Sequence, residues 1–293
     1  MRTSFLGPIV AAVLAAGGCS QQPSTPIAED RALPAPADAV SMEPAAATAV
    51  APSVPGDMPM LEEELKAAIR QKNPGFGGEV QIGSDGTRIL AVAINDPAVK
   101  DISPLQGLSL QAIDLSKTSV ADISPLKGMP LADAYFAETE VADLRPLRGA
   151  PLGQLNLVRT KVTDLSPLEG APIRMLWLND TSVSDISPLR TMPLESLTLA
   201  GTKVSDLSPL KGHPLQRLHI ARSEVTDLAP LQWMSLSRLV LTPSRIKSGL
   251  EFARNMPTLR EVGTAFGEEE WGITGEMMPP AVFWQRYDAG EIQ

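Results

Sequence analysis

The feature that most constrains this 293-residue chain is a unit of 21 residues that recurs through its middle. One unit reads PLxxLxLxxTxVxDLSPLxG, from Pro193 to Gly212. Its aspartate returns seven times at the same spacing. The seven aspartates are Asp101, Asp122, Asp143, Asp164, Asp185, Asp206 and Asp227. A fixed period of this length indicates a solenoid, in which each unit forms one turn and packs against its neighbours.

The positions of the unit divide into a strand and a return segment. The leucines of LxxLxL point inward from a short strand, and we expect an aliphatic core because aromatics make up only 4% of the chain. Asp122 and Ser124 can cap a short return helix that Gly128 ends. The threonine of each unit, such as Thr118, places a hydroxyl where it can bond the backbone of the neighbouring turn. The predicted strands cover 89–94, 110–115, 131–136, 152–157, 173–178, 194–199, 215–220 and 236–241, with a ninth that begins at 259.

The motif LxxLxLxx(N/T)x(L/V) is that of a leucine-rich repeat. The unit resembles the short repeats of internalin-type bacterial surface proteins, and also those of exported leucine-rich-repeat proteins of environmental bacteria. The resemblance covers about residues 89–264. It implies an α/β solenoid with a parallel β-sheet on the concave face and short 3-10 or loop returns on the convex face.

The N-terminus is typical of an export signal. Residues 1–18 combine a basic start, an apolar run too short to span a membrane, and small residues before Cys19. This arrangement resembles a bacterial lipoprotein signal, which implies a lipid anchor on Cys19, although Ala16 stands where that family usually has leucine. The implied location is the bacterial cell envelope, and Ser20 after the cysteine implies the outer membrane. The alternative is an ordinary secretory signal in which the cysteine has no role.

Two segments lead from the signal into the repeats. Residues 19–60 are rich in proline, alanine and acidic side chains and cannot bury enough apolar surface to fold, so we expect a disordered tether. Residues 61–88 predict an N-terminal cap. It begins with an amphipathic helix at 61–72 and continues into a hairpin at 79–94.

The chain ends in a second cap at residues 265–293, after the solenoid at 89–264. A helix at 281–289 is predicted from the proline pair that precedes it. Its large residues are Val282, Phe283, Trp284 and Tyr287. The four aromatics Trp271, Phe283, Trp284 and Tyr287 are expected to form a lid on the last repeat. The alternative is that they form an aromatic binding box.

Composition and motifs argue against catalysis. The sequence has no nucleotide-binding loop and no nucleophile elbow, and its two histidines are His213, expected in solvent, and His219. We therefore expect no enzyme, no cofactor and no metal, with calcium at the aspartate column as the alternative. The single cysteine excludes an intrachain disulfide. A net charge of −9 and a pI near 4.9 exclude nucleic acid as a partner, because it requires a basic face.

The concave face of the sheet remains as the place for function. Strand alternation turns three rows of residues toward it, two from each strand and a third from the position two residues further along. Tyr135 and Trp177 are expected there, exposed and about 10 Å apart, and aromatics and arginines dominate binding hot spots. Acidic groups lie toward one end and basic groups toward the other, which fits a polar-aromatic peptide or protein. The candidate binding residues are Asp114, Asp133, Tyr135, Asn156, Met175, Trp177, Arg217, His219 and Arg238.

These features predict a non-enzymatic, membrane-anchored module that binds a protein or peptide partner on its concave face, as a monomer. One alternative is a structural envelope spacer or adhesin, in which the convex and lateral surfaces matter more. Another is a sensor subunit of a larger membrane complex.

Overall fold

The computed structural model of the protein describes residues 62–265 and 276–292. The predicted signal peptide at 1–18, the anchor residue Cys19 and the tether at 19–60 lie outside the described residues.

The first described element is an amphipathic helix that packs against the first return turn. Helix α1 spans Glu62–Lys72 and buries Leu65 and Ile69, one turn apart, as predicted. Asn73 follows it, and its Nδ2 donates to the carbonyls of Ile69 at 2.9 Å and Asp101 at 2.8 Å. Its Oδ1 accepts the N–H of Asp101 at 2.9 Å. The side chain of Asn73 thereby fastens the cap to the first repeat.

A ten-stranded sheet forms the concave face, with its strands in chain order. β1 (Val80–Ser84) and β2 (Ile89–Ile94) form the predicted antiparallel hairpin, and β2 to β10 run parallel. The other strands are β3 (Ala112–Asp114), β4 (Asp133–Tyr135), β5 (Gln154–Asn156), β6 (Met175–Trp177), β7 (Ser196–Thr198), β8 (Arg217–His219), β9 (Arg238–Val240) and β10 (Glu261–Gly263). All the predicted parallel strands are present. Those from β3 onward are three residues long rather than six, because the backbone bends into the return on both sides.

The parallel strands are joined on the convex face by short return turns. Most begin at the repeated serine and carry proline at the second position. The 3-10 turns are Ser103–Leu105, Ser124–Leu126, Arg145–Leu147, Ser166–Leu168, Ser187–Thr191, Ser208–Leu210, Ala229–Leu231 and Pro243–Arg245. In the longer last unit a short helix, α2 (Leu250–Arg254), forms part of the return.

The repeated aspartate caps the return turn that follows it, as predicted. Asp206 Oδ1 accepts the N–H of Ser208 at 2.7 Å, and Asp122 and Asp164 make the same bond to their own serines at 2.8 Å. The Ser208 hydroxyl donates to Asp206 Oδ2 at 2.7 Å rather than capping the turn itself. This bond, together with the one from the Ser208 N–H, favours the ionised carboxylate and holds the pKa of Asp206 below its usual value. The described residues contain no group of three or more His, Cys, Asp or Glu side chains placed to hold a metal ion. Capping of the return turns is the role that the hydrogen bonds of these aspartates show.

The inward residues of the repeats form one continuous core. The central residue of each strand is buried, as Leu155, Leu176 and Leu197 illustrate. The expectation of a purely aliphatic core is wrong at Phe136, which is fully buried. Its neighbour Ala134 occupies an inward position that is leucine in later repeats. The phenyl ring stands at a position that is leucine in most other repeats, and its larger volume offsets part of what the alanine lacks, as close packing favours.

The repeated threonine bonds within its own turn, so the predicted ladder between neighbouring turns is wrong. The Oγ1 of Thr118 donates to the carbonyl of Leu115 at 2.7 Å, and that of Thr202 donates to the carbonyl of Leu199 at 2.7 Å. The acceptor lies three residues earlier because the chain turns sharply at the end of each strand. The hydroxyl stabilises that bend and not the stacking of turns.

The last repeat is covered by the C-terminal segment. Met278 pairs with Val262 in β10 through two backbone hydrogen bonds of 2.9 Å. Helix α3 spans Pro280–Asp288, within one residue of its predicted bounds, and buries Phe283 and Trp284 with their ring centroids 4.9 Å apart. Tyr287 is partly buried against the core, and the predicted lid residue Trp271 lies outside the described residues. Val282, on the same helix, is 44% exposed.

Candidate functional site

The concave face is assembled from the two outer residues of each three-residue strand. In β6 the central Leu176 is buried in the core, while Met175 and Trp177 lie on the opposite face and are half-buried. The parallel register places equivalent residues side by side, so that Met175 neighbours Ser196 and Trp177 neighbours Thr198. Concave residues that are far apart in sequence therefore become lateral neighbours.

A groove of about 420 Å³ crosses strands β5 to β9 on this face. Six of the nine predicted concave residues line it: Asn156, Met175, Trp177, Arg217, His219 and Arg238. The structure adds lining residues outside the predicted set, among them Val158, Asn179, Ser196, Thr198 and Val240. The 21-residue spacing could have identified Ser196, Thr198 and Val240, since they occupy the same repeat positions as the predicted residues. Val158 and Asn179 lie two residues further along, at a repeat position that holds none of the predicted residues.

Tyr135 and Trp177 form one aromatic pair rather than two separate exposed rings. Their centroids are 6.5 Å apart at an interplanar angle of 35°, closer than the predicted separation of about 10 Å. Both are half-buried. The rings lean toward each other across β5, and the hydroxyl of Tyr135 donates to Gln154 Oε1 at 3.1 Å. Burial, with the nearby charges of Asp133 and Asp114, raises the pKa of Tyr135 to about 12, so the phenol stays protonated.

The acidic candidates lie on β3 and β4, beyond the end of the groove. Asp114 is 7% exposed and its Oδ1 accepts the N–H of Ser116 at 2.9 Å. Burial raises the pKa of Asp114, and it also raises the pKa of the half-buried Asp133. Asp114 therefore bonds its own strand end and does not line the groove.

The basic candidates differ in how far they are neutralised. Arg217 is exposed, and its Nη2 lies 3.9 Å from the sulfur of Met175. Arg238 is half-buried, and its Nη2 lies 2.5 Å from Glu261 Oε2. The expectation of an accessible His219 is wrong, because the ring is 4% exposed. Burial and the charge of Arg222 lower its pKa to about 4, so His219 is neutral at physiological pH.

A row of residues at the strand exits was not predicted as a unit. Lys117, Glu138, Arg159, Asp180, Gly201 and Arg222 all have positive φ and recur at the repeat spacing. Asp180 lies between two arginines, with Oδ1 3.0 Å from Arg222 Nη1 and Oδ2 3.5 Å from Arg159 Nε. Its pair with Arg222 passes over Gly201, where an added Cβ would lie 2.2 Å from Asp180 Oδ1. The missing side chain at Gly201 leaves room for this ion pair.

Two residues outside the concave face also matter, and one of them, His213, departs from expectation. His213 is buried rather than solvated, and its Nε2 lies 3.0 Å from the carbonyl oxygen of Arg190 in the preceding turn. Trp233, which no sequence argument singled out, is 80% exposed at the position that is glycine in most repeats. Its exposure and its place just after the return turn Ala229–Leu231, outside the groove, make it a useful tryptophan control.

The strand order, the 3-10 returns and the stacked aliphatic core define a leucine-rich-repeat solenoid. An internalin (inlF) from Listeria monocytogenes is 19% identical over 68% of this chain and 66% of its own, with a TM-score of 0.49. Internalin C2 (inlC2) from the same species is 23% identical over 61% of this chain and 92% of its own, with a TM-score of 0.46. The chain thus spans slightly less than two thirds of the first internalin. At this level of similarity the internalins say nothing about what the chain binds.

No protein-family model matches the sequence, and no curated protein matches it. No helix within residues 62–265 and 276–292 has the length and apolar character needed to cross a membrane.

Proposed function

We propose that the protein is a non-enzymatic binding module that holds a protein or peptide partner in its concave groove. The observation that carries this proposal is the grouping of Trp177, Met175 and the exposed Arg217 in one groove of about 420 Å³. Aromatic and arginine side chains in a concave, partly desolvated setting supply most of the binding energy at protein interfaces. The rigid parallel sheet beneath them holds their positions before a partner arrives, which lowers the entropic cost of binding.

The test is capture of partners from an envelope extract of the source bacterium. The double variant Trp177→Ala/Arg217→Ala removes the aromatic platform and the exposed charge without touching the core. We expect the captured amount to fall at least tenfold, since each hot-spot truncation costs about 2 kcal/mol. The matched control is Trp233→Ala/Arg145→Ser, which removes one exposed tryptophan and one ion-paired arginine outside the groove. Equal capture by the two double variants would contradict concave binding.

The same experiment separates the alternative roles. An envelope spacer or adhesin predicts altered cell cohesion on deletion and no dependence on Trp177 or Arg217. A sensor subunit predicts co-purification with a membrane enzyme that also survives both groove substitutions.

We also propose that the mature chain is anchored by a lipid on Cys19 in the bacterial cell envelope, at the outer membrane. The support is the sequence before Cys19 and the Ser20 that follows it. Multiple acyl chains give stable anchoring where one chain does not. Cys19→Ser should release the protein from membranes into the soluble envelope fraction, and continued pelleting with membranes would contradict the anchor.

A further inference from the structure

We infer that the groove recognises an acidic peptide segment, in which one carboxylate pairs with Arg217 and a neighbouring apolar side chain rests on Met175 and Trp177. This inference rests on the proposed function and names the chemistry of the partner.

The first step is whether the guanidinium of Arg217 already has a carboxylate partner. Its guanidinium is exposed, and the one contact that the structure gives it is to the Met175 sulfur at 3.9 Å, a weak acceptor. Among the described residues, no carboxylate lies within ion-pair distance of it. By contrast Arg238, which lines the same groove, already pairs with Glu261. Arg217 is therefore the groove cation that is available to a ligand.

The second step is the charge of the groove as a whole. None of its lining residues is acidic, and the acidic Asp114 and Asp133 lie outside it on β3 and β4. His219 lines the groove but is neutral above about pH 4. The groove is consequently a positive site on a chain whose net charge is −9. A carboxylate is the complementary group, because it matches the planar guanidinium with two parallel hydrogen bonds.

The third step is the apolar surface beside the charge. Met175 and Trp177 stand on the same strand two residues apart, about 7 Å along it, and the Tyr135 ring supports Trp177. The guanidinium of Arg217 reaches from β8 to lie beside Met175, so the indole and the guanidinium are about the same distance apart. That distance matches alternate residues of an extended peptide. One ligand strand can then place a carboxylate at Arg217 and an apolar side chain on the indole.

The groove also offers an uncommitted polar atom. The buried Oγ1 of Thr198, on β7 between the strands of Trp177 and His219, has no hydrogen-bond partner within the described part of the chain. A buried hydroxyl without a partner is costly, and rotation of the Thr198 side chain toward the groove would let a peptide backbone group satisfy it. An extended segment that lies along β6 and β7 carries such a group, which favours a peptide over an isolated small anion.

The test is selection of a random-peptide phage library on the full-length chain. We expect enrichment of peptides with Asp or Glu next to, or two residues from, an apolar side chain. A synthetic peptide from this set should bind Arg217→Gln about tenfold more weakly, as loss of a charge-assisted hydrogen bond predicts. Arg217→Lys keeps the positive charge but loses the planar guanidinium that donates two parallel hydrogen bonds to a carboxylate. Its affinity for the peptide should lie between those of the unmodified chain and Arg217→Gln. Arg145→Ser is the charge-matched control and should bind like the unmodified chain.

A double-mutant cycle between the ligand carboxylate and Arg217 completes the test. Changing the ligand Asp to Asn should weaken binding to the unmodified chain and leave binding to Arg217→Gln almost unaffected. Peptides that require Trp177 but show no acidic preference would overturn the carboxylate inference and leave concave binding intact. Peptides insensitive to both Trp177→Ala and Arg217→Gln, or no enrichment at all, would count against the proposed function itself. Circular dichroism melts of each variant verify that the fold is retained.

Discussion

Gly201 provides the sharpest test of how the turns of this solenoid interact. It has a φ of +67°, and five other residues at the same repeat position carry side chains at positive φ between 55° and 63°. The backbone conformation therefore does not by itself demand glycine there. What excludes a side chain is the Asp180–Arg222 pair, because an added Cβ would lie 2.2 Å from Asp180 Oδ1 and 3.1 Å from Arg222 Nη1.

Gly201→Ala should lower the free energy of unfolding by about 2 kcal/mol. About 1 kcal/mol comes from placing a Cβ in the left-handed region. Up to about 1 kcal/mol more comes from displacing the ion pair, which is half-buried and so lies at the upper end of the range for surface pairs. The matched control is Gly212→Ala, since Gly212 has a φ of +82° and an added Cβ would meet nothing within 4 Å.

The assay is equilibrium urea unfolding followed by far-ultraviolet circular dichroism. The loss of unfolding free energy caused by Gly201→Ala should exceed that caused by Gly212→Ala by up to about 1 kcal/mol. This difference should shrink when both substitutions are measured in an Arg222→Ala background, where the Asp180–Arg222 pair is already absent. Equal effects of the two glycine substitutions in the unmodified background would refute the reasoning. An excess that persists without Arg222 would show that the clash, rather than the ion pair, carries the cost.

Two further predictions concern the core and pH. Leu176→Ala removes a fully buried side chain from the centre of the stack and should cost about 2–5 kcal/mol in urea unfolding, whereas Trp233→Ala, at an 80% exposed position, should cost less than about 0.5 kcal/mol. The pKa of His219 is lowered from 6.5 to about 4 in the folded state. The stability that the folded state gains from its neutral imidazole is therefore fully present above pH 6.5 and is lost as the pH falls toward 4. That loss amounts to roughly 3 kcal/mol at most, by the 1.36 kcal/mol that corresponds to one pKa unit. His219→Gln should remove this pH dependence, measured as the difference from the unmodified chain between pH 7 and pH 4.5, and an unchanged slope would contradict a buried neutral imidazole.

Much of the fold was predictable because each turn repeats the same local chemistry. The period fixed the number and order of the parallel strands, and Asp206, Ser208 and Pro209 already indicated where a return turn begins. The amphipathic spacing of Leu65 and Ile69 identified the N-terminal cap. These features depend on residues that are close in sequence, so periodicity and capping preferences were enough to locate them.

The candidate site was predictable in outline and not in its contacts. Strand alternation placed Met175, Trp177 and Arg217 on the concave face. It did not reveal that the Tyr135 ring leans onto Trp177 or that His219 is buried. Both depend on side-chain directions and on the packing of neighbouring turns, which a strand pattern does not specify.

The sequence by itself determined a stack of near-identical turns with a cap at each end, because that result follows from a 21-residue period of inward leucines and turn residues. Only the tertiary structure decided which outward side chains stay accessible and which charges meet. Asp180 and Arg222 are 42 residues apart, yet they pair across Gly201 because stacking brings every second turn within reach of a long side chain. Arg217, in the same stack, faces no carboxylate among the described residues, and that local absence, not its place in the repeat, makes it available to a ligand.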